Sequence, residues 1–120
     1  MLHNDLTGKI IEASFEVSNE LGSGFLESVY EKALQVALMQ KGLNSMLQVP
    51  LTVSFRGVIV GNFYADMLVE SKVLVELKAV NRVLNEHKAQ VINYLKATGI
   101  EVGLLINFGK PKVEYFRLHP

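Results

Sequence analysis

The sequence has 120 residues, enough for one hydrophobic core and too few for two, so we expect a single domain over residues 1–120. It contains no cysteine, which excludes disulfides, thiolate metal sites and cysteine nucleophiles. The net charge is zero, from 12 basic and 12 acidic residues, which argues against tight binding of nucleic acid through phosphate contacts alone. A metal-dependent enzyme is not excluded, because a bound cation offsets the carboxylates that hold it.

The start of the chain shows no targeting or membrane segment. Charged residues interrupt the apolar ones throughout residues 1–15. Nowhere does an apolar run approach the ~18 residues of a membrane-spanning helix. We therefore expect a cytoplasmic protein with no membrane partner.

Two helices are predicted before Gly42. Apolar residues recur with a loose helical period over residues 6–21, and Asn4 or Asp5 is a suitable N-cap. A second helix is expected from Ser23, its N-cap, to about residue 41, followed by Gly42 at its C-terminal end. The predicted buried stripe of this helix consists of Leu26, Val29, Tyr30, Ala33, Leu34, Ala37 and Leu38.

Short segments rich in β-branched residues follow, separated by turn signals. The segments are residues 46–49, 51–55, 58–63, 64–69 and 73–80. This pattern predicts an antiparallel meander.

A third helix fits residues 85–98, with Gly99 just past its end. Its predicted apolar stripe is Leu84, Val91, Ile92 and Leu95. Residues 101–108 then resemble a buried strand and residues 112–118 an edge strand. The order of elements predicts an α+β fold, a mixed sheet with an antiparallel meander flanked by helices.

The hairpin over residues 64–80 carries the first sign of chemistry. If its two strands fold symmetrically about Ser71, their apolar residues match on both sides of the sheet. In this register Asp66 faces Glu76, so two carboxylates lie directly opposite each other. Like charges at about 5 Å destabilise a sheet, and we expect something to compensate them.

A divalent cation is a suitable compensation, since Mg²⁺ prefers carboxylate oxygens and retained waters. Asp66 and Glu76 would be the metal ligands, with the backbone carbonyl of Leu77 as another. Lys78, on the same face as Glu76, would orient or deprotonate a metal-bound water or stabilise charge on a phosphate. The same three charged residues also fit a solvated face with a weak surface ion pair, although the apolar run around Glu76 favours a strand buried on both faces.

The spacing of these residues resembles the PD-(D/E)XK nuclease superfamily, whose pattern is an Asp on one strand and Glu-x-Lys on the next. Asp66, Glu76 and Lys78 supply that pattern here. Ala65 replaces the Pro that gives the pattern its first letter. The resemblance implies a restriction-endonuclease-like core.

The chain as a whole is similar to the small bacterial GxxExxY proteins. Residues 24–30 (GFLESVY) supply the signature itself. Residues 86–99 and 103–109 match the C-terminal half of that family, and the likeness runs from about residue 6 to residue 116.

The resemblance implies a site built from several elements and bound to Mg²⁺ or Mn²⁺. Asp66 and Glu76 would hold the metal, with Glu27 as an accessory carboxylate and ligand from the second helix. Gln90 and Tyr94, similar to the QxxxY motif of RecB-type nucleases, would arrange the site or touch nucleic acid, with DNA favoured over RNA. Simpler readings stay open: a carboxylate at Glu27 suits the helix dipole, and Tyr94 fits the border of the core.

Three hypotheses follow. The first is a metal-dependent nuclease that hydrolyses phosphodiester bonds of DNA or RNA. The second is a non-catalytic binding or regulatory module that keeps the nuclease fold, as a homodimer or a partner subunit. The third is a metal-dependent hydrolase of small phosphorylated molecules.

Overall fold

Residues 2–120 form three helices and five strands in the computed structural model. The helices are α1 (Asn4–Leu21), α2 (Glu27–Gln40) and α3 (Asn85–Thr98). The strands are β1 (Ser45–Phe55), β2 (Val58–Val69), β3 (Val73–Lys78), β4 (Val102–Asn107) and β5 (Glu114–Leu118). In this part of the chain no helix combines the length and the apolar character that crossing a bilayer needs.

The strands form one mixed sheet in the order β1-β2-β3-β4-β5. Neighbouring strands are antiparallel except β3 and β4, which are parallel. The connection between these two contains α3, as parallel neighbours require a long crossover. The predicted α+β fold, a mixed sheet flanked by helices and consistent with a restriction-endonuclease-like core, is confirmed.

Two breaks predicted in the meander are wrong. β1 runs without interruption through Pro50, and β2 runs through residues 63 and 64. Pro50 is tolerated because β1 lies at the edge of the sheet, where no neighbour needs the N–H that proline lacks. β3 ends at Lys78, two residues earlier than predicted.

The predicted start of α2 is also wrong. Its N-cap is Leu26 without a side-chain cap, and the preceding loop is held instead by Tyr30. The Tyr30 hydroxyl donates to the Gly22 carbonyl (2.7 Å) and accepts from the Phe25 N–H (3.1 Å). Because the helix begins late, Leu26 is 78% exposed and Val29 is also exposed. The buried stripe is narrower than predicted and consists of Tyr30, Leu34 and Leu38, each four residues apart.

The helices cover opposite faces of the sheet. α1 and α2 pack with the odd-numbered residues of β3, and the Tyr30 ring stacks on Phe108 with centroids 4.7 Å apart. α3 packs with Leu74 and Leu105 through Val91, Tyr94 and Leu95, whereas Leu84, predicted in this stripe, is its exposed N-cap. All residues from 73 to 77 are buried, as predicted for a strand covered on both faces. The even-numbered residues of β3, including Glu76, therefore face α3.

The hairpin of β1 and β2 extends well beyond the rest of the sheet. The two strands pair along their length, from Ser45 opposite Val69 to Phe55 opposite Val58. β3 pairs only with residues 67–69 of β2. Residues 49–65, which we call the hairpin arm, therefore form a two-stranded ribbon beside α3, and the molecule measures 46 × 30 × 24 Å.

The chain that follows β3 is fixed by the buried side chain of Asn107. Its oxygen accepts the N–H groups of Val80 and Gly109 (both 3.0 Å), and its NH₂ donates to the Val80 carbonyl (2.9 Å) and to Glu114 (3.0 Å). Gly109 lies against this segment so closely that a Cβ would be 2.2 Å from the Val80 carbonyl oxygen. Side-chain bonds thus continue the pairing of β3 after its ladder ends.

This contact predicts opposite effects for two Gly→Ala substitutions. Gly109→Ala should lower the free energy of unfolding by about 1–3 kcal/mol, because the added methyl group meets rigid backbone. Gly8→Ala, in the interior of α1 with open space around it, should raise the free energy of unfolding by about 0.5–1 kcal/mol. Urea unfolding of both variants measures the difference, and equal stability of the Gly109→Ala variant and the parent would contradict the close approach.

Candidate active site

Asp66 and Glu76 lie where β2 and β3 separate. The predicted register is confirmed for residues 67–69, which pair with residues 73–75 in reverse order. The ladder ends there, so the two acids do not face each other as a regular pair. Instead each carboxylate accepts a backbone N–H of the other strand: Glu76 from Asp66 (3.1 Å) and Asp66 from Leu77 (2.8 Å). The crossed bonds bring the two carboxylates together at the open end of the ladder.

β1 is also irregular at this point. Leu47 pairs with Met67 and Val49 with Ala65, so Gln48 lies opposite Asp66 but outside the ladder, with a φ of 51°. β1 and β3 therefore both lack regular pairing with β2 at Asp66. This leaves the surroundings of Asp66 free of regular strand pairing.

Gln48 brings a carboxylate that the sequence analysis did not select. Its amide donates to both oxygens of Glu31 on α2, at 3.1 and 3.2 Å. Burial raises the pKa of Glu31, the bond from Gln48 opposes this, and the negative charge of Asp66 raises it further. The charge of Asp66 thus acts on Glu31, a residue of α2. The sequence could have indicated Glu31, because this residue lies one helical turn after Glu27 and therefore on the same face of the helix.

Burial strongly shifts the pKa of Glu76, a residue that is only 7% exposed. Burial, the negative charge of Asp66 and a hydrogen bond with the Asp66 side chain raise the pKa of Glu76 from 4.5 to about 9, although the bond from the Asp66 N–H and the charge of Lys78 act in the opposite direction. Without metal, the raised pKa favours the protonated form of Glu76 at neutral pH. A proton on Glu76 thus relieves the repulsion between the two acids, for which a bound cation was expected.

Lys78 is the last residue of β3 and is partly exposed. It lies on the same face as Glu76, and its positive charge acts on that carboxyl group. Its backbone carbonyl accepts the Phe108 N–H at 2.8 Å, which fixes the end of the strand. Within residues 2–120 its ammonium group forms no ion pair.

Gln90 and Tyr94 approach the acids from α3. The Gln90 amide donates to the Tyr94 hydroxyl at 2.9 Å. Tyr94 is buried, and burial followed by the charges of Glu76 and Asp66 raises its pKa. Gln90 itself is exposed. The structure thus brings Tyr94 near the carboxylate pair, with Gln90 beside it.

Glu27 lies in the first turn of α2 and is exposed. Its charge acts on Glu31, as the smallest of the influences on that residue. The metal-ligand role implied for Glu27 stays a prediction, as does that of the Leu77 carbonyl. The Leu77 side chain is buried in the core between the sheet and the first two helices.

The donors at this point suit a hard divalent cation. Two carboxylates and a backbone carbonyl are oxygen ligands, which Mg²⁺ and Mn²⁺ prefer. Among residues 2–120 no three His, Asp or Glu side chains gather in a metal-binding group. Mg²⁺ usually binds one or two carboxylates and fills its remaining positions with waters and substrate phosphates.

The fold and the position of these acids define a protein of the nuclease-fold class. A family model for the PD-(D/E)XK nuclease superfamily matches residues 4–118, and the chain belongs to that superfamily. Among solved structures, the chain is similar to the crystal structure of SSO0001, with a TM-score of 0.60 and 16% sequence identity over 98% of this chain. The chain spans 59% of the length of that protein, and at this identity the similarity shows the fold alone. A search of curated proteins finds no match.

The raised pKa of Glu76 predicts a pH-dependent stability in metal-free buffer. Unfolded Glu76 loses its proton near 4.5 and the folded residue near 9, so the folded state binds more protons between these values and stability falls as pH rises. Glu76→Gln removes this titration. In chelator, the free energy of unfolding of the variant should rise relative to that of the parent by an amount on the order of a few kcal/mol between pH 5 and pH 9.

Thermal or urea unfolding across this range measures the gain. Glu20→Gln, at an exposed position of α1, is the matched control and should follow the parent at every pH. Parallel curves for the parent and the Glu76→Gln variant would show that Glu76 ionises normally in the folded protein.

Proposed function

We propose that the protein is a nuclease that depends on Mg²⁺ or Mn²⁺ and hydrolyses phosphodiester bonds of DNA or RNA. The observation that carries this proposal is the meeting of Asp66 and Glu76 at the end of the β2–β3 ladder, with Lys78 beside them. Membership of the superfamily supports it. Within the superfamily, the signature in residues 24–30 supports assignment to the GxxExxY proteins.

Asp66 and Glu76 would hold the metal through their carboxylate oxygens, with the Leu77 carbonyl as a further ligand. When bound, the ion supplies positive charge that activates water and neutralises charge on the phosphate. Binding would displace the proton of Glu76, because a cation and a proton compete for the same carboxylate. Glu27 and Glu31 would add negative charge from α2 and strengthen the attraction for a cation.

Lys78 would orient the attacking water and donate to the phosphate oxygen on which charge develops. Its place on the Glu76 face and its freedom from ion pairs within residues 2–120 support this role. Tyr94, fixed by Gln90, would position the nucleic acid against the acids. Gln90 and Tyr94 belong to α3, which covers the face of the sheet on which Glu76 lies.

The alternative is a non-catalytic module that keeps the nuclease fold, as a homodimer or as a subunit that binds a partner. One observation favours it: among residues 2–120, no group of three or more His, Asp or Glu side chains could hold a metal ion. Metal binding and cleavage separate the two proposals.

Metal binding is expected to raise the melting temperature of the parent at neutral pH when millimolar Mn²⁺ replaces chelator. Asp66→Asn removes one charged ligand and should lose most of this increase. From the sequence alone, the same substitution should stabilise the metal-free protein. In the structure this gain comes from a lowered pKa of Glu76, so it should grow as pH rises towards 9 and be absent in acidic buffer.

Differential scanning fluorimetry measures both effects. Glu101→Gln, at an exposed position outside the site, is the control and should respond to Mn²⁺ as the parent does. If the parent and the Asp66→Asn variant respond equally to Mn²⁺, the two acids do not share a metal.

Cleavage is expected to depend on Lys78. With Mn²⁺, the parent should cleave at least one of four substrates, single- or double-stranded DNA or RNA. Lys78→Ala should reduce turnover about 100-fold or more while the Mn²⁺-dependent rise in melting temperature persists. Lys72→Ala, in the exposed turn between β2 and β3, is the matched control and should keep full turnover. Unchanged turnover in the Lys78→Ala variant would remove Lys78 from the mechanism.

A further inference from the structure

A groove of about 1150 Å³ separates the hairpin arm from α3. One wall is formed by arm residues that include Thr52, Ser54 and Phe63, and the other by helix residues that include Gln90, Asn93 and Lys96. Its volume exceeds the ~300–1,000 Å³ of ordinary small-molecule sites, so it has room for a segment of a polymer.

The groove adjoins the candidate active site through residues of α3, although Asp66, Glu76 and Lys78 do not line it. Tyr94 and Gln90 line it, and the Tyr94 ring lies against the Phe63 ring with centroids 5.7 Å apart. The same tyrosine is near enough to Glu76 and Asp66 for their charges to raise its pKa. A ligand that lies along α3 therefore contacts the tyrosine on which the charges of the carboxylate pair act.

The lining matches the bases of a nucleic acid better than its phosphates. Phe63 is 41% exposed and offers part of its ring for stacking. Gln90 and Asn93 are exposed, and their amides can each donate and accept, as base edges do. The charged lining residues Glu86 and Lys96 offset each other, so the groove lacks the cluster of lysines and arginines that grips the backbones of a duplex.

We infer that the groove binds a single-stranded segment of nucleic acid. One base stacks on Phe63, neighbouring base edges bond to Gln90 and Asn93, and the backbone is led toward Asp66 and Glu76. Stacking on aromatic side chains is how proteins bind single strands without many phosphate contacts, which agrees with a net charge of zero. This inference rests on the proposed nuclease function and adds the strandedness of its substrate.

Binding is measured by fluorescence anisotropy in chelator, so that no cleavage interferes. The probes are a labelled 12-nucleotide DNA of mixed sequence, its RNA equivalent and the corresponding DNA duplex. The parent should bind a single strand about tenfold or more tightly than the duplex. Phe63→Ala should weaken single-strand binding by about tenfold, the range found for loss of one base stack.

Two further variants make the test specific. Asn93→Ala, at an exposed position of α3 where alanine favours the helix, should weaken single-strand binding several-fold without lowering the melting temperature. Val58→Ala changes an exposed apolar residue of the same arm outside the groove and should bind as the parent does. Equal binding by the parent, Phe63→Ala and Asn93→Ala proteins would overturn the inference even if Phe63→Ala were less stable.

The remaining outcomes separate this inference from the proposed function. If single strands bind, the groove substitutions weaken that binding and no cleavage occurs in Mn²⁺, the inference about the groove is supported and the proposed nuclease activity is contradicted. Cleavage that survives both groove substitutions supports the nuclease function and overturns the inference about the groove. A parent that binds duplex more tightly than single strands also overturns this inference. A parent dimer in sedimentation that Phe63→Ala dissociates, with no single-strand binding, would show that a second copy of the chain occupies the groove and would also overturn the inference.

Discussion

The crossed bonds between Asp66 and Glu76 are the interaction on which both the fold and the site depend. β2 leaves β3 after three paired residues, and the N–H groups of Asp66 and Leu77 then need acceptors. The carboxylates supply them across the gap, so the separation of the strands leaves no unpaired donor at these two positions. In exchange, two acids are held together in a largely buried place. Such a pair requires positive charge, and a proton on Glu76 supplies it when no cation does.

Packing elsewhere determines what surrounds the acids. Gly103 on β4 lets α3 lie close to the sheet, since a Cβ there would be 2.9 Å from a Val91 methyl group. That close contact brings Tyr94, one turn of helix further on, over the Glu76 face. On the other side of the strand, Asn107 and Gly109 hold the chain directly after Lys78. The lysine is therefore fixed at its backbone, while its ammonium group forms no ion pair with any residue from 2 to 120.

The sequence predicted the parts of this arrangement that local pattern determines. The register about Ser71 was correct for residues 67–69, because a slip of one residue would turn every apolar side chain of a buried strand to the wrong face. α3 was predicted with its observed bounds because its period and Gly99 agree. The end of the ladder and the contact between Gln48 and Glu31 were not predictable, since they depend on how β1 and α2 meet β2 in space. The exposure of Leu26 likewise followed from a helix start that a tertiary bond of Tyr30 determines.

The hairpin arm and the candidate site have one structural origin. Once β2 has left β3 at Asp66, the rest of the strand has only β1 as a neighbour, and the two must extend away from the sheet together. α3 lies beside them because it crosses over from the end of β3 to β4 on the Glu76 face. Tyr94 therefore borders both the space between arm and helix and the acids at which the strands part. Between Lys41 and Asp66 the only charged residue is Arg56, so this wall offers rings, methyl groups and hydroxyls rather than a charged surface. For the proposed action on a polyanion, a chain of zero net charge needs contacts of this kind, because it has little long-range attraction to rely on.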